Sequence, residues 1–408
     1  MAQVTAPLSV GSILIAATLA GCTCDGGGRD TSAAAGSGAP SASARRDDPG
    51  ELQRVLSDPR SEITPKLLER LLLDLQGCKL GPNGVDPKCE AFQRFQQGQK
   101  RTVRRSDQGK LRAKVGKKHL TDENPSVRVQ AAQLLLPRLA WHKPTQKLLV
   151  KAATAERDVA VLVGMIRTVG PHIKRSPELK QLLFRLADHP QEKVRQEATR
   201  WFLTSFSADV EGAFDKALEK LESDPSVQVR ASLCKRLFAS GDERALEVFE
   251  EQLTSPDTPD ELRQACFYGL VHAWTGFRRP PNPSKKAYEL TLRILEAQPR
   301  SEQSPPWTGL SALRSAKTDL APGDRLGQKW LEQVRGWYQP ARLRQALLSV
   351  ASDGAANVLA RTAAVDAMNE LRTPKADFER LEKKLAGAKQ GDDWHVRRRV
   401  EMILRQKR

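Results

Sequence analysis

From residue 122 onward the chain repeats one arrangement of apolar and polar positions: an apolar residue, Arg, then apolar residues three or four places apart, usually with an Asp upstream. The copies read Asp122…Val127-Arg128…Ala131…Leu135, Asp188…Val194-Arg195…Ala198…Phe202, Asp224…Val229-Arg230…Leu233…Leu237 and Asp257…Leu262-Arg263…Cys266…Leu270. Two more follow, Asp353…Ala360-Arg361…Ala364…Met368 and Asp392…Val396-Arg397…Val400…Leu404, and Val159 to Val169 leaves room for a degenerate copy. Apolar residues so spaced form the stripe of an amphipathic helix. Steps of 35 and 33 residues separate Arg195, Arg230 and Arg263, and a period in this range is that of a solenoid.

Helix starts are marked too. Thr64-Pro65, Asn124-Pro125, Ser176-Pro177, Asp224-Pro225, Thr258-Pro259 and Thr373-Pro374 each set a capping side chain before a proline. Proline suits the first helical position, where the amide is unpaired anyway. Between the signature helices lie others, such as Pro177 to Leu186 and Ala213 to Leu221, and two helices of about 12 residues plus turns fill one period. No run of alternating β-branched and aromatic residues predicts a strand.

The pattern resembles HEAT repeats, specifically the bacterial type with Asp and Val-Arg at the start of the second helix. Ser126-Val-Arg-Val-Gln-Ala-Ala132 and Asp224-Pro-Ser-Val-Gln-Val-Arg-Ala231 carry the resemblance best, and it covers most of 119–275 and 341–408. It implies an all-α fold, an α-solenoid of HEAT-like helical hairpins, in which Asp and Arg pair within and between repeats. A cation in a helix's first turns opposes the dipole and needs a carboxylate nearby. Arg128, Arg195, Arg230, Arg263, Arg361 and Arg397 are therefore expected to form a structural ladder, with anion binding as the alternative role. Residues 276–340 depart from the pattern, broken by Arg278-Arg-Pro-Pro-Asn-Pro283 and Ser304-Pro-Pro-Trp307. They are degenerate repeats or an insert, and Gly323 to Tyr338 predicts a helix with Leu326, Trp330, Val334 and Trp337 on one face, either buried or forming a groove.

Upstream, residues 8–20 are an apolar run too short for a permanent span but of signal-peptide length. Leu19-Ala20-Gly21-Cys22 resembles the lipobox of bacterial lipoproteins, which implies removal of 1–21 and lipidation of Cys22. Several acyl chains anchor stably where one is marginal. Residues 22–50 follow as a flexible Gly/Ala/Ser linker, and Thr23 after the cysteine leans by the same resemblance toward the outer membrane. A periplasm-facing place in the cell envelope is the expected localisation.

Charge changes the picture in one place. The chain carries a formal +17, and residues 94–118, within an N-terminal helical region of 51–118, hold ten Lys or Arg against Asp107 alone. Arg101, Arg104, Arg105, Lys110, Arg112, Lys114, Lys117 and Lys118 are candidate anion or partner contacts, set against the plainer reading of a solvated face. With the lipobox, anionic lipid, lipopolysaccharide, cell-wall polymer or an acidic protein is the expected partner and nucleic acid is not, since no aromatic residue interrupts Arg101 to Lys118 to stack a base.

Cys78 and Cys89 flank a turn-rich loop and are a candidate disulfide, whereas Cys234 and Cys266 read as small buried residues and Cys24 as linker. The six His residues show no metal-ligand spacing, and no phosphate-binding loop, dinucleotide fingerprint or nucleophile elbow occurs, so no metal, cofactor or catalytic residue is expected. The leading reading is a non-catalytic protein-binding scaffold anchored by lipid in the envelope, its partner proteins unidentified. Two alternatives stand beside it: an envelope enzyme, or the accessory domain of one, using 276–340, and a nucleic-acid-binding HEAT protein if the lipobox is spurious.

Overall fold

The computed structural model describes residues 55–58, 61–102, 108–204, 210–275, 282–297, 307–313, 316, 324–388 and 390–407. Cys22, Cys24, Arg104 and Arg105, together with the apolar leader and linker, lie outside the described residues.

Twenty helices account for nearly all of the described secondary structure. Helices α1 (Pro65–Leu73) and α2 (Glu90–Thr102) pack together, joined by a 3-10 turn and a two-residue antiparallel strand pair, β1 (Leu80–Gly81) and β2 (Gly84–Val85). Next come α3 (Gln108–Lys118), α4 (Pro125–Leu134), the short α5 (Leu136–Leu139), α6 (Lys143–Ala155), α7 (Val159–Val169), α8 (Pro177–Leu186) and α9 (Glu192–Thr199). Then follow α10 (Ala213–Ser223), α11 (Val227–Cys234), α12 (Arg244–Thr254), α13 (Asp260–Thr275), α14 (Lys285–Glu296) and α15 (Trp307–Ala312). The last five are α16 (Arg325–Val334), α17 (Pro340–Ser352), α18 (Val358–Glu370), α19 (Lys375–Lys384) and α20 (Gly391–Gln406).

These helices form antiparallel hairpins whose members fall into two layers. Second helices make a continuous ladder in which each packs on the next: α4, α7, α9, α11, α13, α15, α18 and α20. First helices α6, α8, α10, α12, α17 and α19 each pack on the second helix that follows, and α3 does the same with α4. The basic segment therefore supplies a helix of the first hairpin.

Burial explains the period. Every apolar position of the signature is buried, from Val127, Ala131 and Leu135 through Val229, Leu233 and Leu237 to Val396, Val400 and Leu404. Apart from α15, which packs on its ladder neighbours α13 and α18, each second helix buries its stripe against its own hairpin partner and the neighbouring hairpin, a surface that no single hairpin can cover alone. Close approach is built in at Gly269, where an added Cβ would lie 2.6 Å from the Cys234 carbonyl oxygen of the preceding ladder helix.

Caps follow the sequence at three of the six proline-marked starts. Thr64, Asn124 and Ser176 each accept backbone N–H bonds in the first turn. Asp224 does not cap α11, which begins two residues beyond Pro225 with Ser226 as its cap; α13 begins after Pro259, and Pro374 itself precedes α19.

Within 276–340 the described residues form a first helix, α14, a second helix cut to six residues, α15, and the additional α16. Aromatic side chains fill the space. Trp330 donates its Nε1–H to the Trp274 carbonyl at 2.6 Å, Trp274 donates to Thr291 Oγ1 at 3.0 Å, and the Tyr338 hydroxyl donates to the Ala316 carbonyl at 2.8 Å. Trp330 and Val334 are buried as core, Trp337 is half-buried, and Leu326 stands 65% exposed, off the face on which the sequence placed it.

Candidate functional site

The signature arginine is the fourth residue of α4, α9, α11, α13 and α18, and the structure shows what it does there. Arg128 donates Nη1 to the carbonyls of Asp122 and Glu123 in its own hairpin turn, at 2.8 and 2.9 Å, and Nε and Nη2 to the two oxygens of Glu156. Arg195 repeats the arrangement with the carbonyls of His189 and Pro190 and with Asp224. Glu156 and Asp224 are the residues that close the next first helix, both in the same extended backbone conformation. The upstream Asp of each signature is not the partner: the Asp122 carboxylate accepts from the Asn124 N–H, and Asp188 pairs with Lys216 and Lys220.

Further along, the clamp is partial. Ser255 and Ala297 hold the closing position opposite Arg230 and Arg263, and neither offers a carboxylate. Arg230 is left with a buried Nε that has no hydrogen-bond partner. Arg263 turns to the Thr258 carbonyl at 2.9 Å and to Asp260. Arg361, fully buried, donates Nε to the Ala351 carbonyl and lies 2.6 Å from Asp393 Oδ1. Arg397 donates to the Ala386 carbonyl at 2.7 Å and pairs with Glu401.

The basic segment separates into two kinds of cation. Arg101 is spent on the carbonyls of Val55, Asp58 and Ser61, so it pins the preceding turn. Arg112 is a correction to the sequence reading, because it is buried in α3 with Leu111 and Ala113 beside it, and burial pushes its pKa down to about 10. Lys118 pairs with Glu69, which also takes the His119 ring. Lys110, Lys114 and Lys117 are exposed, and their spacing sets them on one outer face of α3.

Cysteines are arranged in pairs. Cys78 and Cys89 are joined as a disulfide, Cα to Cα 5.8 Å, closing the loop that holds β1 and β2. Cys234 and Cys266 are buried, as the apolar pattern requires, but they are also joined to each other, cross-linking ladder helices α11 and α13. Helical periodicity shows that both face the core and is blind to which residue each meets.

A second set of side chains leaves no mark in the apolar pattern of the sequence. The ninth position from the start of α7, α9, α11 and α13 holds Arg167, Arg200, Lys235 and Tyr268. Arg167 Nε lies 3.2 Å from one Glu197 oxygen and Arg200 Nη1 lies 3.6 Å from the other. Lys235 Nζ sits 4.2 Å over the Tyr268 ring, and Tyr268 packs at 4.2 Å on His272, which also stacks on Phe238. Arg236 lies beside them with its Nε buried and without a hydrogen-bond partner. Burial and then the charge of Arg200 hold the Arg236 pKa below its ordinary value, and burial and then Arg236 do the same to Lys235. The signal that would have found this row is its constant offset of five residues from the signature position.

Among the described residues no group of three His, Cys, Asp or Glu side chains is placed to hold a metal ion, and no helix is long and apolar enough to cross a membrane.

Stacked hairpins, a buried second-helix ladder and arginines bound to their own turns define an all-α, HEAT-like α-solenoid. No protein-family model matches the sequence, and no curated protein does. Among solved structures the chain is similar to the CpcE–CpcF complex of phycocyanin lyase from Nostoc sp. PCC7120, with TM-score 0.34 and 14% identity over 72% of this chain and 94% of that one. It is also similar to Kap121p, with TM-score 0.43 and 12% identity over 88% of this chain and 41% of that one. Kap95p in complex with RanGDP aligns at TM-score 0.37 and 13% identity, over 87% of this chain and 55% of that one.

Proposed function

We propose that this chain is a lipid-anchored HEAT-like scaffold that faces the periplasm of a bacterial envelope, leans to the outer membrane, and holds other envelope proteins without catalysing a reaction. The scaffold reading is carried by the inward use of the signature arginines. Five of the six bind turn carbonyls and helix ends, so the repeat builds an extended surface of stacked helices rather than a reaction centre. Leu19-Ala20-Gly21-Cys22 supports the anchor, and the Gly/Ala/Ser stretch of 22–50 supports a tether, with a reach on the order of 30 Å. Lys110, Lys114 and Lys117 form the part of the basic segment suited to an anionic lipid or cell-wall polymer, at about 1 kcal/mol per basic residue near such a surface.

Metabolic labelling with a fatty-acid analogue tests the anchor. Label should enter the wild-type chain and be absent from Cys22→Ala, which should also leave the membrane fraction. Equal labelling of both, or of neither, would remove the lipoprotein reading.

A further inference from the structure

The second-helix ladder presents four cations, Arg167, Arg200, Lys235 and Arg236, with one buried carboxylate, Glu197, against the first two. Their surroundings differ from those of the signature arginines. Of the latter, Arg128, Arg195, Arg263, Arg361 and Arg397 are bound to carbonyls within their own hairpins, whereas Arg200 keeps 47% of its side chain exposed and touches Glu197 with one nitrogen at 3.6 Å. Lys235 is exposed and rests on the Tyr268 ring, an arrangement that leaves its ammonium available to an anion. Arg236 is half-buried beside Arg200 and Glu197, and burial followed by the like charge of Arg200 outweighs what the Glu197 carboxylate returns.

Aromatic walls flank the row. Trp201 lies directly over Gly170, occupying the space where a Cβ would be, so its ring is held between two hairpins beside the Arg200 guanidinium. Tyr268 and Phe238 hold the other end around His272. A helix face with aromatic side chains at both ends and a net charge of three positive units suits an anion that also carries apolar or peptide surface.

Spacing favours one kind of anion. Packed helices lie 8–10 Å apart, so cations from successive ladder helices recur at about that interval. A segment in the extended polyproline II conformation advances about 3.1 Å per residue with three residues per turn, so carboxylates on every third residue share one face and recur at about that interval. A nucleic-acid strand carries a phosphate about every 3.4 Å, and it would bring charge against Glu197 as well as against the cations.

We propose that the Arg167, Arg200, Lys235 and Arg236 row seats an extended acidic segment of a partner protein, with carboxylates spaced about three residues apart. This rests on the scaffold reading and names the chemistry of what the scaffold holds. Glu197 acts as a positioning residue, holding Arg167 and Arg200 apart at the repeat spacing, and Trp201 and Tyr268 line the path of the bound backbone.

The full-length chain in detergent is titrated with two fluorescent dodecapeptides of equal composition, one with Glu at every third position and one with its four Glu contiguous, and with inorganic polyphosphate. The spaced peptide should bind in a salt-sensitive manner and more tightly than either competitor. Arg200→Glu with Lys235→Glu should weaken it by about tenfold or more, and the glutamine pair R200Q/K235Q by less. Lys147→Glu with Lys151→Glu, on exposed positions of α6, should leave it unchanged. No binding of the spaced peptide, equal binding by the reversed-charge pair with its helical circular dichroism intact, or tighter binding of polyphosphate would overturn the assignment. Envelope crosslinking of R200E/K235E separates the two claims: loss of the row's peptide binding with partner crosslinks retained leaves the scaffold and removes this seat.

Discussion

Arg195 donates Nε and Nη2 to the two carboxylate oxygens of Asp224, at 2.8 and 3.0 Å, and so ties ladder helix α9 to the end of the next first helix, α10. Asp224 is only 1% exposed at its side chain, and its Oδ1 also accepts the Ser226 N–H, so one carboxylate closes α10, shapes the turn into α11 and holds the preceding hairpin. Removing the carboxylate leaves a guanidinium without its counter-charge in a mostly buried place. Asp224→Ala should cost about 3 kcal/mol in chemical unfolding, and adding Arg195→Met should recover part of that. Simple additivity of the two changes would show that the pair is uncoupled.

At the next junction the same closing position is Ser255, in the same extended conformation, while Arg230 keeps an unpartnered Nε. Ser255→Asp should supply the missing partner and raise stability by about 1 kcal/mol. The effect should vanish in an Arg230→Met background, which a double-mutant cycle reads directly. A gain independent of residue 230 would mean that the aspartate acts on something else.

The Cys234–Cys266 disulfide closes a separation of 32 residues between ladder helices. In the chain-entropy model a loop of that size stabilises by about 3–4 kcal/mol. Cys234→Ala with Cys266→Ala should lower the denaturant midpoint accordingly, and added reductant should then have a smaller effect than on the wild type. A variant as stable as the parent would argue that the two sulfurs are unbonded in solution.

His272 is buried against Tyr268 and Phe238, and burial, aided by the charge of Lys235, pushes its pKa down to about 4. In the unfolded chain the imidazole takes up a proton near its ordinary value of about 6.5. Between those values the unfolded state binds more protons, so this contribution is whole above about pH 6.5 and is lost as the pH falls toward 4. The loss is on the order of 3 kcal/mol. His272→Phe keeps the aromatic stack and should flatten this part of the pH dependence of urea midpoints between pH 7 and 4.5. Parallel curves for the two proteins would contradict it.

Hairpin stacking was legible because burial against two neighbours forces an apolar residue at every third or fourth position, and residues such as Val194, Ala198 and Phe202 obey that rule without exception. Partner identity was less legible. Asp224 reads as a helix cap before Pro225, yet α11 starts later and the carboxylate is turned to Arg195. Arg112 counts as one more surface cation in a charge tally, although it shares the spacing of Val115, Gly116 and His119, which are also buried. The Arg167, Arg200 and Lys235 row is silent in the sequence because charged residues on an exposed helix face carry no apolar period of their own.

Site-specific photo-crosslinking in growing cells tests the central claim most directly. A photoreactive residue at position 200 or 235 on the ladder face, and at 147 or 151 on α6 as the control, is activated in the full-length protein. Discrete crosslinks to an envelope protein should form from 200 and 235 and be absent from 147 and 151, and they should weaken when Cys22→Ala releases the chain from the membrane. No protein crosslinks from the ladder face, or the same set from both faces, would contradict a tethered array that holds its partner on the second-helix layer.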